Sequence, residues 1–313
     1  MDVTSLSDEA ETHQSRTVTQ DRILVLILRL GALLCFAGWS WQHLYWEGPL
    51  GVLLWQDSTF EFAESLGYSW EQFVGTGAND GLIQRLQQGA GWLLVSSVVA
   101  TLFLRPKSVF SSAILLLGTL LLGLVFYAKY LNSQEQLPML IEHGGQLLAP
   151  VCLWLAINLG GRHIITISTV VAAVILTFAG HGCYAIGAWP TPSTFFAMTT
   201  VVLGTGFETT QRLLYIAGVL DFVVCVGLLI PYLRVPLAVY ACVWGLLTAI
   251  ARPVAGMSVE LNYWGADQFL HEAIIRAPHS ILPMYLVWAW VSSPGKNKQE
   301  IFEDTQSEND PHD

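Results

Sequence analysis

Two short stretches concentrate side chains able to hold a ligand or move a proton. HGGQLLAP runs from His143 to Pro150 and HEAIIRAP from His271 to Pro278, and their His, Ala and Pro recur at one offset of 128 residues. Each stands where a polar loop gives way to an apolar run. His43 and His181 follow a repeated Phe-Ala-Gly at 36–38 and 178–180, and His279 lies further into the last apolar run. Mapped onto one copy of that motif, His43 and His181 sit four residues apart, on one helical face. Neutral imidazole suits iron, copper and zinc, and it exchanges protons near neutrality. Two readings stand: a ligand set for haem or a transition metal, or interfacial histidines bonded to backbone and water. No HExxH pair chooses between them.

Among the acids, Asp221 says most. It sits inside YIAGVLDFVVCVGLLI, nine residues beyond Arg212. An aspartate at a helix centre costs roughly 2.5–3.5 kcal/mol to insert into a membrane, so it should turn inward and find a partner. His181 and Arg252 are the expected partners. Arg252, Glu260, Asp267, His271, Glu272 and Arg276 crowd the approach to the last apolar run, where Glu272 and Arg276 have ion-pair spacing. Asp221, His181, His271, His143, His43, Arg252 and Glu272 form the candidate site.

The elements that position these residues follow from composition. Only 12% of the 313 residues are charged and 53% are hydrophobic, against about 25% charged in a soluble domain. The chain reads as an all-α integral membrane protein, since lipid demands that every backbone group be bonded internally. Spans of about 20 apolar residues are expected at 23–46, 88–104, 109–130, 145–160, 163–188, 213–233, 235–251 and 273–292, which makes eight helices. Residues 1–21 and 293–313 read as polar, disordered tails, and 47–87 as a long acidic loop. Lys and Arg favour one set of flanks by eight to five, which puts both termini in the cytoplasm and the long loop outside. Arg29 would snorkel from the first helix, and Trp39, Trp41, Trp46, Trp55 and Trp70 would form an outer aromatic belt. No basic cluster invites nucleic acid. The five cysteines lie in apolar runs without CxxC and read as small buried hydrophobes.

Further echoes keep the same order. Ser58-Thr59-Phe60 returns as Ser193-Thr194-Phe195, Ala90-Gly91 as Ala217-Gly218, and Gly118 as Gly245. They imply two tandem four-helix repeats, 22–160 and 163–292, related by an axis along the membrane normal. Leu94 stands where the second copy has Asp221.

The second copy resembles the DoxX-like membrane superfamily, whose second helix has the form AG-x-x-E-x-x-x-G-x-LL. Ala217, Gly218, Asp221, Gly227, Leu228 and Leu229 stand near that pattern, with Asp for Glu and extra spacing before Gly227. Glu272 matches an acid that the family carries before its fourth helix, and PLGVLLWQD at Pro49–Asp57 is similar to related bacterial proteins of eight-helix type. The resemblance implies a multi-pass protein of the bacterial inner (cytoplasmic) membrane that touches quinones. Three functions stay open. One is a redox-associated subunit binding quinone or haem between its helices beside a respiratory partner, with Asp221 and His181 or His271 at the head group. The others are a small-solute carrier or channel using Asp221, and a membrane scaffold or assembly protein without a catalytic site.

Overall fold

The computed structural model describes residues 3–77, 80–257 and 264–292. The expected tail at 293–313 and Glu260 lie outside them. All regular structure among the described residues is helical. The first half holds α1 (Val3–Tyr45), three short loop helices α2 (Gly51–Leu54), α3 (Asp57–Ser65) and α4 (Trp70–Val74), then α5 (Leu82–Phe103), α6 (Val109–Asn132), α7 (Leu137–Ile141) and α8 (Gly144–Leu159). The second holds α9 (Ile164–Ala185), α10 (Ser193–Leu203), α11 (Phe207–Gly227), α12 (Arg234–Gly256), α13 (Asp267–Ile275) and α14 (Pro278–Val291). Helix α1 starts within the stretch read as a tail.

Among the described residues, seven helical segments are long and apolar enough to cross a membrane: Gln20–Tyr45, Leu82–Phe103, Val109–Asn132, Leu137–Leu159 (α7 and α8 together), Ile164–Ala185, Phe207–Gly227 and Arg234–Gly256. The expected eighth span at 273–292 is broken instead. The chain turns at Arg276 and Ala277, and Pro278 opens α14. Arg276 leaves helical geometry at φ -86° and ψ 1°, and Pro278 has no amide hydrogen with which to continue the ladder across the turn. The 14 residues of α14 cover only about 21 Å, short of a hydrocarbon core of about 30 Å. A matching break at Glu142 and His143 separates α7 from α8.

Glycines set how tightly the helices dock. A Cβ on Gly38 of α1 would lie 2.7 Å from the Ile275 backbone nitrogen, at the end of α13. A Cβ on Gly180 of α9 would lie 2.5 Å from the Glu142 nitrogen, at the end of α7. Each long helix thus meets the broken helix of the other half. Helix α1 packs on α5, α8, α13 and α14, and α9 packs on α11, α14, α7 and α8. Their buried apolar faces form one core through both halves, including Leu28, Phe36, Leu94, Leu122, Leu153, Val174 and Leu286. Under the long loop, Ala63, Phe73 and Ile83 make a second, small core.

Local contacts refine the expectations for single residues. The Arg29 guanidinium donates to the carbonyls of Thr101, Leu102 and Leu104 and closes the end of α5. Trp39 leaves the aromatic belt: it is buried and donates from Nε1 to Gln146 Oε1 at 2.9 Å. Trp55 and Trp70 remain exposed. All five cysteines are free.

Replacing Gly180 with Val should cost about 1–3 kcal/mol, the usual range for overpacking, and lower the melting temperature in detergent. Gly89, in α5, faces open space, so Gly89→Ala should leave stability unchanged or raise it by up to about 1 kcal/mol.

Candidate functional site

Breaking α7–α8 and α13–α14 delivers polar side chains to the interior at the loop-bearing end of the bundle. Gly180 admits the Glu142 backbone against α9, one residue before His181. Glu142 Oε2 then lies 3.5 Å from His181 Nδ1, and Glu142 Oε1 lies 3.8 Å from His143 Nδ1. His181 Nε2 meets His279 Nε2 at 3.3 Å, and His279 Nδ1 donates to the Arg276 carbonyl at 2.9 Å. With Nδ1 of His279 carrying hydrogen, its Nε2 accepts and His181 Nε2 donates when both rings are neutral. The remaining nitrogen, His181 Nδ1, faces Glu142. A proton held between that nitrogen and the carboxyl completes a line from Glu142 to the Arg276 carbonyl. Glu142 Oε2 is buried and has no hydrogen-bond partner, since its contact with His181 is poorly formed.

A second group lies beside this line. Glu272 Oε2 accepts from Arg252 Nη1 at 2.6 Å, and Arg276 Nη1 reaches the same oxygen at 3.5 Å. Arg276 also donates to the Glu272 carbonyl at 3.2 Å, one turn back along α13. Lys129, in the last turn of α6, sits over the Trp39 ring with Nζ 5.6 Å from the centroid. Lys129, Glu142, Arg252, Glu272 and Arg276 act on one another electrostatically.

The expected site residues divide. His181, His143, Arg252 and Glu272 come together, with His143 bonding the Met139 carbonyl at 2.6 Å and its ring tilted against that of Phe126, 4.6 Å away. His271 and His43 line the adjoining end of α1. His271 is buried against Trp41 and Trp46 with Nδ1 unpartnered. His43 bonds the Trp39 carbonyl at 2.8 Å, and its Nε2 is buried without a partner beside Gly48. Asp221 is buried, as expected, but pairs with neither His181 nor Arg252. Those two are taken by Glu142 and Glu272, while Asp221 faces Gly182 and takes a hydrogen bond from Trp244. Its Oδ1 has no partner.

Glu142, His279, Arg276 and Lys129 are the members that the sequence did not nominate. Glu142 adjoins a nominated histidine, and Arg276 lies inside the repeated stretch. Lys129 gave no signal beyond its charge. No haem iron fits between His181 and His279. Two metal–imidazole bonds of about 2.0–2.1 Å each need about 4 Å, and these nitrogens touch at 3.3 Å. Among the described residues no group of three His, Cys, Asp or Glu side chains is placed to hold a metal ion.

No family model, curated protein or solved structure matches the chain.

Removing one member of a buried ion pair strands the other, at a cost of about 3–5 kcal/mol. Glu272→Ala should therefore destabilise the protein more than the paired change Arg252→Met with Glu272→Leu. Thermal unfolding of both variants in detergent measures the difference.

Proposed function

We propose that this polytopic membrane protein binds a quinone-type head group at the Glu142–His181–His279 line and hydrogen-bonds to its oxygen, the electrons for any turnover coming from a separate redox partner. The unpartnered, buried Glu142 Oε2 beside two imidazoles in contact carries this reading. A bound quinone supplies a two-electron, two-proton couple. Glu142 holds a proton at Oε2, His181 turns it over between Nδ1 and Nε2, and His279 is fixed by the Arg276 carbonyl. Phe195, its ring 5.6 Å from that of His181, provides an aromatic wall. The DoxX-like motif in α11 suits a quinone-linked protein. The Lys and Arg bias puts both termini in the cytoplasm and the site in the outer half of a bacterial inner membrane.

The same reading includes tandem duplication. Paired contacts support it. Gly91 of α5 is backed by Leu44 and His43, and Gly218 of α11 by Ile186 and Ala185. Trp39 bonds Gln146 where His181 bonds His279. His143 reaches the Met139 carbonyl, and Arg276 the Glu272 carbonyl. Pro150 and Pro283 both lie inside their helices. These pairings keep the first-helix offset of 142 and favour 133 over 128 for the fourth. One copy thus carries a neutral Trp–Gln clasp, and the other carries its titratable equivalent.

Organic extraction of the purified protein should yield quinone in near-equal amount to protein, and Glu142→Gln should lose most of it while remaining folded. Protein without extractable quinone, and without binding of added quinone, would overturn the proposal. A carrier is the second reading, favoured by the unpaired oxygen of Asp221 deep in the membrane. Uptake of a small solute by reconstituted vesicles that Asp221→Asn abolishes would favour it, and unaltered flux would count against it.

A further inference from the structure

Charge does not balance in the interior beside the proton line. Among the described residues, Lys129, Arg252 and Arg276 bring three fixed cations within electrostatic reach of two carboxylates, Glu142 and Glu272. One oxygen, Glu272 Oε2, serves both arginines. The carboxylate of Glu142 is turned to His143 and His181. Arg252 and Arg276 are buried to about nine-tenths, with side-chain exposures of 9% and 13%. Like charges held this close inside an apolar bundle repel strongly unless anions lie among them. Arg252 Nε adds a second, independent observation: it is buried and has no hydrogen-bond partner. A guanidinium is an obligate donor in a fixed fork, so a buried N–H without an acceptor leaves that fork incomplete.

We propose that Lys129, Arg252 and Arg276 form a binding site for an oxyanion, a phosphate or carboxylate group entering at the loop-bearing end of the bundle. The arginine forks match the geometry of such groups, and Lys129 adds a point charge. Glu272 holds the two guanidinium groups together through one oxygen. The group is carried either on a soluble anion or on an anionic lipid of the surrounding leaflet. Both present the same oxygens. The site is distinct from the quinone reading: its ligand would meet the side chains of the three cations, and the Glu142–His181–His279 line touches Arg276 only at its backbone carbonyl.

The test uses the full chain in nanodiscs of zwitterionic phosphatidylcholine, with and without phosphatidylglycerol. Its melting temperature is followed against inorganic phosphate, with sodium chloride at equal ionic strength as the control. A saturable rise with phosphate beyond that of chloride identifies a soluble anion. A rise with phosphatidylglycerol alone identifies a lipid head group. Either supports the site, provided that Arg276→Gln and Lys129→Met each weaken the apparent affinity by about tenfold or more, as loss of a charge-assisted contact should, while Glu142→Gln, which removes a competing negative charge, does not weaken it. Native mass spectrometry of the unmodified protein counts bound phosphate or phosphatidylglycerol and needs no variant to fold. No bound anion by that count and no shift beyond chloride would overturn the proposal, as would full affinity in both cation variants. Loss of quinone binding with retained phosphate binding would sink only the quinone reading.

Discussion

Close backbone contact, in surroundings that offer no hydrogen bonds, governs this structure. A helix break inside a bundle frees amides and carbonyls that lipid cannot satisfy. Here each break is held against a glycine of the other half, Gly38 under Ile275 and Gly180 under Glu142. The freed groups then find local partners. The Gly145 amide donates to Thr177 Oγ1 at 2.9 Å. In the register of the paired contacts its counterpart is Pro278, which has no amide to satisfy. The broken helices are thereby able to bring Glu142, Arg276 and His279 inside, where an unbroken helix would continue its apolar face.

The charged interior follows from that arrangement. Two carboxylates, three cations and three histidines sit together because the breaks of α7–α8 and α13–α14 converge on α9, α12 and the end of α6. Removing such groups from water costs several kcal/mol for each ion even after relaxation. A protein needing only a stable bundle has cheaper solutions, such as the neutral Trp39–Gln146 clasp on the other side of the molecule.

Much of the architecture was legible in the sequence. Seven of the eight apolar runs are long helices, because apolar length alone decides whether a helix can span lipid. Gathering His143, His181, Arg252 and Glu272 at one end was legible too, since depth follows from distance along a helix. What the sequence hid was direction. Asp221 and His181 are near in depth, but Gly182 faces Asp221 while His181 points at α14. Trp39 looked interfacial because other tryptophans follow it, and only its rotation about α1 buries it. The His, Ala and Pro echo at 128 differs by a few residues from the spacing of the two breaks, because α13 is longer than α7. Lys129 could not be nominated at all. A lone lysine at a helix end usually marks an interface, and its neighbours come from elements distant in sequence.

Arg29 ties α1 to α5 in a way that limits how this molecule can move. Its guanidinium takes three terminal carbonyls of α5, so neither helix can slide past or spin against the other without stranding charged and polar groups in hydrocarbon. Those three bonds tie the two helices at that end, so relative sliding there would require all of them to break together.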